Sequence, residues 1–151
     1  MKRLIVALLL AGAPLAARAE NFTFVNTNSG GDQVVLPASA PDGRPIGASL
    51  NAVTTVATFA DGHKAETKAR CSSWILPPGS DFGTNGVCEY KDANGPLYQS
   101  RFTCSAPVKG GNGVDCWGSL IGTGGVWKGR TGAFSLHNSQ SAVRGEGHWN
   151  E

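Results

Sequence analysis

Residues Gly122–Gly132 read GTGGVWKGRTG, with five glycines in eleven positions and a lysine and an arginine among them. Such a run either cradles a phosphate or serves the backbone of a β-sheet. Spacing decides between the two. A Walker loop needs G-x-x-x-x-G-K-[ST] between a strand and a helix. Here GGVWKGRT, from Gly124 to Thr131, carries Arg130 where the lysine belongs, and the GAFSLHN that follows reads as a strand. The dinucleotide fingerprint G-x-G-x-x-G fails as well, because Trp127 stands at its third glycine. Glycine within strands permits bulges, sharp coiling and close packing beneath a large neighbour. Gly122, Gly124, Gly125, Gly129 and Gly132 are therefore read as structural. Trp127 is expected to cover bare backbone, and Lys128 and Arg130 to point outward.

The rest of the chain has the same character. No segment holds a helical period, and 21 glycines argue against long helices, since each interior glycine costs a helix about 1 kcal/mol. Short runs rich in Val, Thr, Phe and Trp alternate with Gly, Pro, Asn and Asp, the signature of strands and turns. Nine candidates follow: NFTFV, DQVVLP, SLNAVTTVATFA, HKAETKARC, GVCEYKD, PLYQSRFTC, VDCWGSLIG, WKGRTGAFSLHN and AVRGEGHWN. Phe22 and Phe24 share one face, as do Ala65, Thr67 and Ala69. Asp61-Gly62 is a favoured type I′ hairpin dipeptide, and Asn94-Gly95 is read as the centre of a second hairpin. Many short strands make a sandwich or a barrel. A barrel closes its edges, which suits a chain with few gatekeeping charges.

The first residues bear on the compartment. Lys2 and Arg3 precede an apolar run, Leu4 to Leu10, and Ala17-Arg18-Ala19 is a small-x-small cleavage pattern. This is the form of a secretory signal peptide, so residues 1–19 are expected to be removed and 20–151 to form one β-barrel domain. The run is shorter than the roughly 20 apolar residues of a membrane span. The chain has 13 Lys+Arg and 11 Asp+Glu; the signal takes three bases and no acid with it, which leaves −1. No basic cluster survives in the mature part, so nothing points to nucleic acid or an anionic membrane as partner. A bacterial periplasmic or secreted location is expected.

Cys71, Cys88, Cys104 and Cys116 form an even set, which in an exported protein reads as two disulfides. Structural zinc sites bring cysteines in close pairs, and these gaps are long. Folding about Gly110 sets Cys104 opposite Cys116, within reach of a disulfide. Folding about Asn94-Gly95 sets Cys88 opposite Arg101 and not Cys104. The expected bonds are therefore Cys71–Cys88 and Cys104–Cys116.

The glycine segment and its surroundings carry a resemblance. GTGGVWKGRTG is similar to the GGTGxFxGxTG segment of the allene oxide cyclase barrel-like group, with Gly and Thr exchanged at 123 and 124 and Trp127 in place of Phe or Tyr. The similarity runs from about Ala52 to Asn150 and ends on a G-x-W pattern. It resembles small exported bacterial members most, and plant allene oxide cyclases and dirigent proteins more distantly. The resemblance implies an all-β fold, a single antiparallel closed barrel of about eight strands without a substantial helix. It also implies a trimer and a cavity for small apolar molecules. No motif maps the cyclases' substrate-binding residues, so no catalytic residue is assigned.

Chemistry is otherwise sparse. His63, His137 and His148 show no metal-ligand spacing, there is no G-x-S-x-G elbow, and no cofactor is indicated. The register about Asn94-Gly95 pairs Glu89 with Ser100 and Tyr90 with Gln99. Glu89 then shares a face with Tyr98 and Phe102, and Arg101 shares the other with Cys88 and Tyr90. Glu89, Tyr90 and Arg101 are candidates for a ligand cavity, and Trp74, in a Pro-rich loop, for a lid at its mouth. The other tryptophans, Trp117, Trp127 and Trp149, are expected in core packing. The leading reading is non-enzymatic binding of a small apolar or amphipathic ligand. The alternatives are a structural or protein-interaction module of the cell envelope, and then a cyclase or isomerase.

Overall fold

The computed structural model describes residues 19–39, 45–77, 80–108, 110–139 and 142–150. The expected signal segment, up to residue 18, lies outside the described residues. The strands in chain order are β1 (Glu20–Ser39), β2 (Pro45–Phe59), β3 (Lys64–Ile75), β4 (Phe82–Asp92), β5 (Gly95–Ser105), β6 (Val114–Gly122), β7 (Thr131–Asn138) and β8 (Val143–Trp149). Each pairs antiparallel with its sequence neighbour, and β8 returns to β1, so the sheet is a closed eight-stranded barrel. The one helical element among the described residues is a 3₁₀ turn at Gly125–Trp127. Eight strands replace nine candidates because NFTFV and DQVVLP are two parts of β1, joined across a bulge between Asn28 and Gly30.

Alternation puts Phe22 and Phe24 of β1, and Ala65, Thr67 and Ala69 of β3, on the inner face, with Lys64, Glu66, Lys68 and Arg70 in solvent. A row of the inner wall alternates ring and glycine across six strands. Gly86 pairs with Phe102, Phe102 with Gly118, Gly118 with Phe134, Phe134 with Gly147 and Gly147 with Phe22. The rings lie close over the bare backbone. A Cβ on Gly147 would stand 2.6 Å from Phe22 Cζ, and one on Gly118 2.9 Å from Phe134 Cε1. The role expected of Trp127, an aromatic ring over glycine, thus belongs to these phenylalanines.

Both disulfides form as expected, Cys71–Cys88 and Cys104–Cys116, each between directly opposed residues with Cα atoms 4.0 and 3.9 Å apart. All four cysteines are buried inside the barrel. The fold about Gly110 sets the second pair in register.

Two turns differ from expectation. Asp61-Gly62 is not a type I′ turn, which needs positive φ at both central residues. Only Gly62 has it, at 87°. Gly62 N–H donates to Phe59 O at 2.9 Å and Phe59 N–H to His63 O at 3.0 Å, which makes a wider loop over residues 60–62. The β4–β5 turn is centred on Ala93-Asn94, not Asn94-Gly95. Asp92 pairs with Gly95, and Asp92 Oδ1 accepts the Asn94 N–H at 2.7 Å. That side-chain turn, with a bulge between Tyr90 and Lys91, shifts the register by one residue. Cys88 therefore faces Ser100, Glu89 faces Gln99 and Tyr90 faces Tyr98. Tyr98 and Phe102 share the inner face with Cys88 and Tyr90, while Glu89 and Arg101 stand outside in solvent.

Candidate functional site

A cavity of about 490 Å³ occupies the lumen. Its mouth is ringed by the β2–β3 turn at His63, the β4–β5 turn at Asn94–Pro96, and the β6–β7 connection at Gly125–Trp127. That connection is the glycine segment. It forms a loop and not a coiled strand, because β6 ends at Gly122 and β7 starts at Thr131. Its ends are tied together by Gly122 N–H donating to Arg130 O at 2.8 Å and Gly129 N–H to Gly122 O at 3.1 Å. Thr123 and Gly124 N–H both reach Leu97 O, at 2.8 and 2.9 Å. Positive φ at Gly125 (55°) and Gly129 (83°) turns the chain inward and back.

The loop delivers Trp127 to the mouth. Its ring stacks on Trp149, with centroids 4.8 Å apart, and on Phe59 at 5.6 Å. Lys128 is exposed as expected, but Arg130 is not turned outward. Its guanidinium lies 5.2 Å from the Trp127 ring centroid and 5.9 Å from that of Trp149. It also donates to Glu20 Oε2 at 2.8 Å and to Asn150 O at 3.2 Å. One side chain thus joins the glycine loop, the first strand and the end of the last.

Below the mouth the walls are aromatic: Phe22 and Phe24 from β1, Phe59 from β2, Phe134 from β7. On the β4–β5 side Tyr90 and Tyr98 stack at 4.3 Å, with planes 15° apart. An uncharged polar line crosses the opposite strands. Asn26 pairs with Thr55 and Thr55 with Thr67, and all three line the cavity. Thr55 Oγ1 donates to Asn26 Oδ1 at 2.7 Å, and Thr67 Oγ1 shares a hydrogen bond with Tyr98 Oη at 3.3 Å.

Burial pushes the Tyr90 phenol up, opposed by the nearby Ser100 hydroxyl. Burial also pushes Tyr98 up, with Tyr90 adding to it and Thr67 opposing it. Ser100 Oγ is the buried side-chain polar atom among the described residues that has no hydrogen-bond partner. At the rim, the His63 ring stacks on Phe59 at 4.2 Å. The His63 N–H, and after it the ring, hold the Asp61 carboxyl below its usual range.

Of the cavity candidates read from the sequence, Tyr90 lines the lumen and the other three do not. Glu89 and Arg101 are exposed on the outer wall, for the register reason given above. Trp74 stands near the end of β3 remote from the mouth, 44% exposed, and does not line the lumen cavity. Trp117 is also on the outer face, 43% exposed, with its ring edge-on to Phe82 at 5.9 Å. Trp127 and Trp149 are in the core as expected. The Asn26–Thr55–Thr67 line escaped sequence reading. Its signal was polar residues at inward parity within otherwise apolar strands. Among the described residues no three His, Cys, Asp or Glu side chains gather so as to hold a metal ion, and no helix is long and apolar enough to cross a membrane.

Comparison with known proteins returns nothing: no family model, no curated protein and no solved structure matches the chain.

Proposed function

We propose that this barrel binds one small, largely apolar molecule in its lumen, in an oxidising compartment outside the cytoplasm. The observation that carries the reading is the 490 Å³ cavity, open at one end and walled by aromatic rings. Eight-stranded barrels have room for one such ligand, and pockets of this size and apolarity are those that take small molecules. Two buried disulfides suit an oxidising compartment, in keeping with the signal-like leader and a periplasmic or secreted location. Binding is favoured over cyclase or isomerase chemistry by the character of the interior. Of the titratable side chains that line it, His63, Glu66 and Asp92 are exposed at the rim, and those deeper in are Tyr90 and Tyr98, which burial keeps protonated well above neutral pH, whereas acid–base catalysis wants a group that titrates near the working pH.

Native mass spectrometry of the protein exported to an oxidising compartment tests this. A bound mass released on denaturation supports the reading; a protein that stays apo when exposed to a broad extract of small apolar molecules counts against it. The same spectrum counts subunits, and so tests the trimer implied by resemblance to the allene oxide cyclase barrel-like group. A second reading, a protein-interaction module, draws on the outward Trp117–Phe82 pair, since exposed aromatics favour interfaces. Partner capture that depends on Trp117 would support it.

A further inference from the structure

We propose that the ligand is an uncharged ring compound bearing an oxygen acceptor such as a ketone or lactone carbonyl, received by Asn26. The inference rests on the lumen-binding reading above and adds the chemistry of the ligand to it.

Hydrogen-bond capacity supplies the first argument. Asn26 Oδ1 is occupied by the Thr55 hydroxyl, which orients the amide and leaves its Nδ2 without a partner among the described residues. An amide nitrogen carries two donors and no acceptor. Thr67 and Tyr98 share one hydrogen bond, so of their two hydroxyl hydrogens one is unspent. The Asn26 nitrogen therefore offers donors alone and calls for an acceptor, while the Thr67 and Tyr98 hydroxyls can donate or accept. The Asn26 donors open onto the lumen, where a ligand oxygen would take the place of water.

Charge supplies the second. Among the described residues no Lys or Arg lines the cavity, and its charged rim residues are Glu66 and Asp92. Arg130, the nearest candidate for an anion partner, is committed to Glu20, Asn150 O and two indole faces. A carboxylate ligand would meet acidic groups at the rim and no cation within, at a high desolvation cost. An ammonium ligand would find aromatic faces and the acidic rim of Glu66 and Asp92, but at the polar line it would meet the donors of Asn26. A neutral acceptor satisfies both conditions. Shape agrees: Phe22, Phe24 and Phe59 lie between the mouth and the polar line on β1 and β2, so rings would rest among them with the oxygen innermost.

A matched series tests the proposal by calorimetry, with the indole N–H signals of Trp127 and Trp149 reporting location: indane, 1-indanone, indane-1-carboxylate and 1-aminoindane. The exported, disulfide-bonded protein is expected to bind 1-indanone at least as tightly as indane, although water holds the ketone better, and about tenfold more tightly than either ion. In Asn26→Leu the ratio of indanone to indane affinity should fall at least fivefold, with indane binding retained. Should that variant not fold, the ranking in the unaltered protein decides alone. Equal loss of both compounds, or an ion binding tightest, overturns the acceptor proposal and leaves lumen binding standing. If no compound binds or shifts either indole, lumen binding itself falls, and this proposal with it.

Discussion

Trp127, carried on the β6–β7 loop, stacks on Trp149 of the last strand with ring planes 24° apart, and Arg130 lies against both rings. The mouth of the lumen is closed in part by this sandwich. Trp127→Ala should cost about 3 kcal/mol, the usual loss for a buried large aromatic, read from urea unfolding. It should also raise the accessibility of Trp149 to a soluble fluorescence quencher. An unchanged quenching constant would show that Trp127 does not guard the mouth.

Gly147 lies under the Phe22 ring and beside Phe134. Gly147→Ala should destabilise the barrel by about 2 kcal/mol, since an added methyl has to displace a ring and press on Ala133 O. Phe22→Leu in the same chain should recover part of that loss. The check is a double-mutant cycle on unfolding free energies: simple additivity would mean that the ring and the glycine are not coupled.

Each disulfide closes a short loop, with separations of 17 and 12 residues. Restriction of the unfolded chain predicts about 3 kcal/mol for either bond. Paired Cys104→Ser and Cys116→Ser changes should lower the urea midpoint accordingly, and reductant should have no further effect at that site. A loss below about 1 kcal/mol would argue that the barrel, and not the bond, holds those strands together.

The chain has two tyrosines, Tyr90 and Tyr98, both in the lumen, and both have raised pKa values, chiefly through burial. Their neutral forms are favoured in the folded state. The stability this contributes is fully present below the unfolded value of about 10, and declines as pH climbs from there toward the folded values. Absorbance at 295 nm should therefore rise at higher pH than for free tyrosine, and the rise should coincide with unfolding. Half-ionisation near pH 10 with the fold intact would contradict the burial of these rings.

Both His137 ring nitrogens face acceptors, Asp115 Oδ1 and Asn112 O, each at 2.8 Å, and the protonated ring donates to both. The Asp115 carboxylate, and after it the Asn112 carbonyl, raise its pKa. Stabilisation from this pair is present below about pH 6.5 and is lost as pH rises through the raised value. Asp115→Asn should move the imidazole titration, followed by NMR, toward lower pH.

What could be read from the residues was local. Alternation in HKAETKARC assigned Ala65, Thr67 and Ala69 to one face because strand side chains alternate whatever the partner. Cys104 and Cys116 could be paired because a hairpin about Gly110 leaves their register little freedom. The turn expected at Asn94-Gly95 is centred one residue earlier, and the bulge between Tyr90 and Lys91 changes which of Glu89, Tyr90 and Arg101 share a face with Tyr98 and Phe102. The centre of that turn is set by the Asp92 side chain, and a single bulge reverses parity.

Strand content, antiparallel hairpins and the Cys104–Cys116 bond were thus determined by the sequence alone, since each lies within one strand or one hairpin, and Cys71–Cys88 followed by elimination. Register and closure placed the rest. The Arg130–Glu20 pair, separated by 110 residues, and the Gly147–Phe22 step of the ring-and-glycine row unite positions that touch only when β8 meets β1, while the Asn26–Thr55–Thr67 line rests on the β1–β2 and β2–β3 registers. The number of strands and their stagger decide which inward residues become neighbours, and no local pattern carries that information.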